Sequence, residues 1–410
     1  MRPAGFLPVR RTASPAHLLS GSGPLPLFVY VLGLAVFAQG TSEFMASGLV
    51  PGIAGDLSVP VGAAAALTSA YAVGMIAGAP AMAVLSARWP RRRALAGFLT
   101  AFVVVHVVGA LTTSFPVLFG TRIVAAIVNA GFLAVAMPVA AALAPEGKQA
   151  RATAVLLAGV TLSCVAGVPA GSVLGDLAGW RSAFWAVAAL CLPALVLVFR
   201  SAPADAADRH EISIRRETRE LKAPPVRQAM LLAALVNGAT FATFAFLAVI
   251  ATDVAHLPAG AVSGLLAAFG VGAFAGVTIA GRRGDGGLGR GLVLALWSLP
   301  VGWAVLAATS AHPVALFAMT TVQGGLSFGC GSALIARVMR VAPGAPTLGG
   351  SFATVALNVG AFLGPVLAGF VTETTDDHRH AIWISAAIAV VPLALLRRHR
   401  RWVASAGPWR

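Results

Sequence analysis

Apolar runs about as long as a bilayer is thick follow one another through nearly the whole of this sequence, and little else it contains constrains its fold as strongly. A hydrocarbon core of about 30 Å needs about 20 apolar residues per helix. Within that core the backbone polar groups must be satisfied internally, so runs of this length specify helices. They fall at residues 27–50, 62–86, 94–113, 115–144, 152–176, 183–199, 228–252, 261–281, 291–311, 313–336, 347–371 and 380–396. The reading predicts an all-α membrane protein of twelve transmembrane helices. TTSFP (112–116) and SAHP (310–313) are tight turns between the third and fourth and the ninth and tenth runs. Composition excludes a soluble alternative. The 410 residues are 58% hydrophobic and 10% charged, where soluble domains carry about 25% charged residues.

The formal net charge is +15. A basic excess can signal nucleic acid binding. Here the basic residues occupy short stretches between apolar runs, which is the pattern of cytoplasmic loops. With the N-terminus inside, all but three of the 29 Lys and Arg fall on the cytoplasmic side. Arg181 and Arg379 lie outside, and Arg122 lies within the fourth run. Both termini are therefore expected in the cytoplasm. Residues 25–199 and 228–397 read as two six-helix bundles joined by a charged, proline-containing cytoplasmic linker, 200–227. Such a midpoint linker suggests bundles that move against each other. Residues 1–24 read as a disordered cytoplasmic extension and 398–410 as a cytoplasmic tail. The halves echo each other. ARWPRRR (87–93) follows the second run and GRRGDGGLGR (281–290) the eighth, while GVPAG (167–171) and NVGAFLGP (358–365) mark the fifth and eleventh.

Glu43 is the one carboxylate deep in a run, and Arg122 the one cation. Ionisable groups inside a bilayer are costly and point to function. A rise of 1.5 Å per residue puts Glu43 roughly 24 Å from the inner end of its helix and Arg122 roughly 10 Å below the outer face. Both then occupy the outer leaflet. A carboxylate beside a cation can take up and release a proton; a static buried pair is the competing reading. Gln39 shares a helix face with Glu43, and Asn129 with Arg122. Asn237, Gln323 and Asn358 place amides in the seventh, tenth and eleventh runs, where they line a pocket or bond to neighbouring helices. Phe44, Phe132, Phe241, Phe244 and Phe246 supply apolar walls or face lipid. Gly167, Pro169 and Gly171, and again Gly364 and Pro365, bring a kink and close helix approach. Cys164, Cys191 and Cys330 lie in apolar runs without CxxC or Cys/His spacing, so neither a disulfide framework nor a metal site is expected. HExxH, GxSxG and P-loop motifs are missing. The reading is of no enzyme and no cofactor, with transport drawing on an ion gradient or running downhill.

TSEFMASGLVPGIAGDL (41–57), the loop at 87–93, LFGTRIVAAIVNAGF (118–132), AGVPAGSVLG (166–175) and GWRSAFWAV (179–187) resemble the motif regions of drug:proton antiporters of the major facilitator superfamily. From residue 25 onward the chain resembles actinobacterial chloramphenicol efflux proteins. The resemblance implies two six-helix bundles and export of chloramphenicol or a related amphipathic compound against protons, with sugar or metabolite export on the same fold as the alternative. A monomer in the lipid bilayer of the cell membrane is expected. By the same resemblance Arg122 falls on the motif arginine of the fourth span, implicated in proton coupling; the residues themselves offer Glu43 as the group that carries or gates the proton. Gly167, Pro169 and Gly171 fall on the antiporter motif, and Arg88, Arg91 and Arg92 on the gating loop. Ala87 and Pro90 stand where that loop motif has aspartate and glycine. Asp285 in the matching second loop is expected to take a similar gating role.

Overall fold

The structure, a computed structural model, describes residues 25–86, 89–145, 149–201, 214–282, 284–345 and 348–398, with no strand among them. Among the described residues, ten helices are long and apolar enough to cross a membrane. The first half holds α1 (Leu27–Leu57), α2 (Val61–Leu85), α3 (Arg91–Leu111), α4 (Phe115–Leu143), α5 (Gln149–Leu162), α6 (Val168–Ala178) and α7 (Trp180–Ser201). A short α8 (Ile214–Leu221) leads to the second half: α9 (Pro224–Phe244), α10 (Leu247–Val249), α11 (Ala259–Arg282), α12 (Gly284–Thr309), α13 (Pro313–Val341), α14 (Leu348–Thr375) and α15 (His380–Arg398). The α9–α10 pair is bent by 40° and counts as an eleventh candidate span. The apolar part of α15, His380–Leu395, is shorter.

Local chemistry sets the ends. Proline stands in the first turn of α4, α9 and α13, where its missing N–H costs nothing. Ser58 closes α1 in the left-handed region, its N–H bonded to the Ala54 carbonyl. Large apolar side chains such as Leu177, Val314 and Phe370 stay exposed around the outside, as a lipid-facing belt requires.

Three expected elements differ in detail. The fifth run is interrupted by a π turn, Ser163–Gly167, between α5 and α6. There α1 crosses so closely that a side chain at Gly167 would strike Thr41. The seventh run is bent after Phe244 and ends in a second π turn, Ile250–Val254. The linker contributes helix α8, whose Leu221 is buried with Val226, Val338 and Leu348. Glu217 of α8 accepts a 2.7 Å hydrogen bond from the Leu348 N–H. That satisfies a free donor at the N-terminus of α14.

The halves repeat one packing plan. α1 lies on α5, α2 on α4 and α3 on α7; correspondingly α9 lies on α14, α11 on α13 and α12 on α15. Phe44/Phe241, Asp56/Asp253, His106/Trp303, Pro116/Pro313 and Gly167/Gly364 stand at one constant sequence offset. The α11–α13 crossing depends on glycine: a Cβ at Gly276 would strike the Gly325 backbone. Between the halves, α2 runs along α14, and the π turn with α6 meets α11. Ser69 Oγ of α2 donates to the Phe362 carbonyl of α14 at 3.0 Å.

Candidate functional site

Arg122 on α4 is 1% exposed and reaches across to α1. Its Nη1 donates to Ser42 Oγ at 2.8 Å and its Nη2 to the Ser42 carbonyl at 2.5 Å. A longer 3.4 Å contact runs from Nη2 to the Glu43 carbonyl. The guanidinium carbon sits 4.7 Å from the centre of the Tyr71 ring, a favourable cation–π distance. Tyr71 is held in turn by Asn129, whose Nδ2 donates to the phenol oxygen at 2.8 Å.

The network continues to a residue that the sequence reading passed over. His106 on α3 lies 2.6 Å through Nε2 from Ser42 Oγ. Its Nδ1 is 2.7 Å from the Phe102 carbonyl. A carbonyl only accepts, so Nδ1 carries a hydrogen; in the neutral ring Nε2 accepts the Ser42 hydroxyl. Ser42 Oγ thus links a guanidinium to an imidazole, wholly within the protein. The rings of Phe102 and Phe184 close over His106, with centroids at 4.2 and 5.9 Å. A lone histidine in an apolar run was the available signal, but its partners sit on two other helices.

Glu43 is half-buried one residue further along α1. Its carboxylate makes no hydrogen bond or ion pair among the described residues, although Arg122 is an electrostatic neighbour. The cation is anchored to its own network of Ser42 and Tyr71.

Beside Glu43, Phe44 meets Phe241, Phe244 and Phe328 at centroid distances of 6.1, 6.4 and 6.4 Å. Phe269 joins them, 4.7 Å from Phe244 and 5.8 Å from Phe328. Five rings from α1, α9, α11 and α13 therefore bridge the halves, and Phe269 and Phe328 were missed because phenylalanines facing lipid look the same in sequence. Phe132 is instead buried in the first half, and Phe246 stacks on His378 at 6.5 Å.

The other candidates are dispersed. Gln39 is fully buried with neither amide atom partnered. Asn237 Nδ2 donates to the Leu357 carbonyl of α14, Gln323 Nε2 to the Leu299 carbonyl of α12, and Asn358 Nδ2 to Thr354 in its own helix. Gly167 and Gly171 face Thr41 and Met45 of α1, and Gly364 faces Gly238 of α9, with Pro365 beside it; Pro169 opens α6. Arg91 begins α3, and Arg92 donates to the Phe199 carbonyl at the end of α7. Arg88 and the side chain of Asp285 lie outside the described residues. An apolar cleft of about 440 Å³ between α11, α12 and α13 is lined by none of these candidates. Among the described residues no cluster of His, Cys, Asp and Glu could hold a metal ion.

The family model described as Major Facilitator Superfamily matches residues 32–346, well over half of the chain. The chain belongs to the major facilitator superfamily. It is a multi-pass membrane transporter and not an enzyme. It is 51% identical over 387 residues to a chloramphenicol resistance protein of Streptomyces lividans, covering 94% of this chain and 99% of the relative. It is 32% identical to the inner membrane transport protein YdhP of Escherichia coli, covering 89% and 94%. Two solved structures share the superfamily fold. A bacterial homologue of the lysosomal transporter Spinster, inward-facing and occupied, has a TM-score of 0.72 at 16% identity, covering 95% of this chain and 100% of that one. The nucleoside transporter NupG has a TM-score of 0.72 at 13% identity, covering 91% and 98%.

Proposed function

We propose that this protein exports chloramphenicol or a related neutral, amphipathic antibiotic across the cell membrane in exchange for protons. The 51% identity to a chloramphenicol resistance protein along nearly the full length of both chains supports the substrate class. The observation that carries the mechanism is the unpaired Glu43 carboxyl beside an anchored Arg122, next to the aromatic cluster. Glu43 takes and releases the proton. Arg122, fixed by Ser42 and Tyr71, stands beside Glu43 as an anchored cation. The apolar rings hold the drug's aromatic body, with a few polar anchors to orient it. Gln39, Asn129, Phe132, Asn237, Gln323 and Asn358 remain candidates to line that path.

In this reading the bent α9–α10 pair and α15 complete twelve spans, and both termini face the cytoplasm. The crowding of basic residues into alternate loops supports that orientation. The two bundles rock about the α2–α14 and α6–α11 seams to expose the site alternately. Gly167, Pro169, Gly171, Gly364 and Pro365 shape the helices near those seams, and Arg88, Arg91, Arg92 and Asp285 form the inner gate. The transporter acts as a monomer.

The test is a growth assay in a drug-sensitive bacterium, paired with chloramphenicol uptake into vesicles under an imposed proton gradient. Wild type is expected to confer resistance and to accumulate the drug only with the gradient present. Glu43→Gln, at equal membrane abundance, is expected to do neither. Inserted wild-type protein that leaves chloramphenicol sensitivity unchanged would refute the substrate assignment.

A further inference from the structure

The second half carries a polar pocket that no hydrogen bond in the fold accounts for. At the offset that pairs Phe44 with Phe241, Glu43, His106 and Arg122 are matched by Thr240, Trp303 and Met319. The charged network of the first half thus has a neutral counterpart. Around it, Trp303 Nε1, Thr320 Oγ1 and Gln323 Oε1 are all buried and all without partners. These side chains are 1%, 2% and 0% exposed. The Gln323 amide is oriented unambiguously, because its Nε2 donates to the Leu299 carbonyl. Its oxygen is seated against Gly302, where any Cβ would collide with the amide. The three residues line one cavity with Thr243, Phe244, Leu247, Phe269 and Leu306. Thr243 is already bonded to Ser385, at 2.6 Å.

Buried polar groups in folded proteins nearly always find partners. Here three of them surround a single space of about 180 Å³, in gaps too narrow for a water molecule. Their partners must therefore come with a wider conformation. The wall on the side of the shared aromatic cluster is Phe244 and Phe269, whose rings also meet the cluster around Phe44.

We propose that Trp303, Thr320 and Gln323 form a recognition pocket for neutral hydroxyl or amide groups on the exported molecule, opened by displacement of Phe244 and Phe269. The inference rests on the export function proposed above and specifies how its substrate is chosen. The pocket offers an indole N–H donor, an amide carbonyl acceptor and a hydroxyl that serves as either. None of its lining residues is charged, so it selects an uncharged ligand with an aromatic or aliphatic body and adjacent hydroxyl or amide groups. A molecule lacking such groups leaves the pocket closed.

The test uses the full chain in proteoliposomes with radiolabelled chloramphenicol. Trp303→Phe removes the N–H and keeps the ring; Thr320→Val removes the hydroxyl and keeps the shape. Each is expected to raise the half-saturating drug concentration about two- to tenfold, the value of one neutral hydrogen bond. The maximal rate and the export of a dye without hydroxyl or amide groups should change much less. Thermal stability without drug should hold or rise, because an orphaned polar group has been replaced by an apolar one. Unchanged half-saturation in both variants, with wild type transporting normally, overturns the pocket and leaves the export function standing. Equal loss for drug and dye also overturns it, as general damage. Wild type that fails to move chloramphenicol overturns the export function and this inference together.

Discussion

Replacing Ser42 by alanine removes one oxygen and leaves two buried groups short of a partner. Arg122 Nη1 loses its 2.8 Å acceptor, and His106 Nε2 loses the hydroxyl at 2.6 Å. In soluble proteins a hydrogen bond to a charged group contributes about 1.5–3 kcal/mol and a neutral one about 0.5–1.5 kcal/mol. Bonds between membrane helices measure lower, averaging about 0.6 kcal/mol and reaching about 1.7, because separated helices also find partners. Arg122 further keeps the Ser42 carbonyl and the Tyr71 ring. The membrane figures therefore govern the neutral bond, and the charged one lies near the bottom of its range. Ser42→Ala is expected to cost about 2–3 kcal/mol. A double-mutant cycle with His106→Leu should return a coupling of about 0.6–1.7 kcal/mol. The assay is equilibrium unfolding of the reconstituted protein by a denaturing detergent, with each variant's drug transport measured alongside. A Ser42→Ala protein within about 0.3 kcal/mol of wild type, or a cycle that closes to zero, would refute the network as a unit.

Glu43→Gln should keep the fold, since the carboxyl holds no partner among the described residues, while proton movement coupled to drug in vesicles disappears. Gly276→Leu should sharply lower the yield of folded protein, because its side chain meets the Gly325 backbone and overpacking costs about 1–3 kcal/mol or more; size-exclusion profiles in detergent check this. Asp377 lies in the turn between α14 and α15: partial burial pulls its carboxyl up, but the Arg379 N–H and guanidinium outweigh this and hold it below the usual carboxylate range. A lowered folded-state value gives stability that is present above the ordinary carboxylate range and lost as pH falls below it. The stability gap between wild type and Asp377→Asn should accordingly narrow on acidification through that range, read from unfolding at a series of pH values.

Much of the architecture was legible in advance for a physical reason. A bilayer leaves backbone groups no water to bond with, so apolar length alone specifies a helix. The predicted runs 94–113, 115–144 and 313–336 correspond to α3, α4 and α13. The turns TTSFP and SAHP mark the breaks between helices, with Phe115, Pro116 and Pro313 already in the first turns of α4 and α13. The finer shape of the fifth and seventh runs was not legible. A π turn sits where α1 packs against Gly167, and the seventh run bends by 40° after Phe244; apolar length, the signal that found these runs, does not record either. The repeat was visible as echoes of loops and glycines. Only the shared packing plan of the halves turned it into residue-by-residue equivalence.

Within the site, the sequence by itself singled out Glu43 and Arg122, because a charge in an apolar run is costly enough to need a reason. It also placed Phe44 and Phe241 as candidate walls. Tertiary structure alone decided what each polar atom touches. Arg122 is anchored to Ser42 and Tyr71 instead of to the Glu43 carboxylate, His106 joins through Ser42, and Asn129 serves Tyr71. Trp303, Thr320 and Gln323 converge from two helices on one unsatisfied space. Hydrophobicity accumulates along the chain and can be read residue by residue. Hydrogen bonds and ring contacts form between helices far apart in sequence, over distances of a few ångströms that only the packed bundles set.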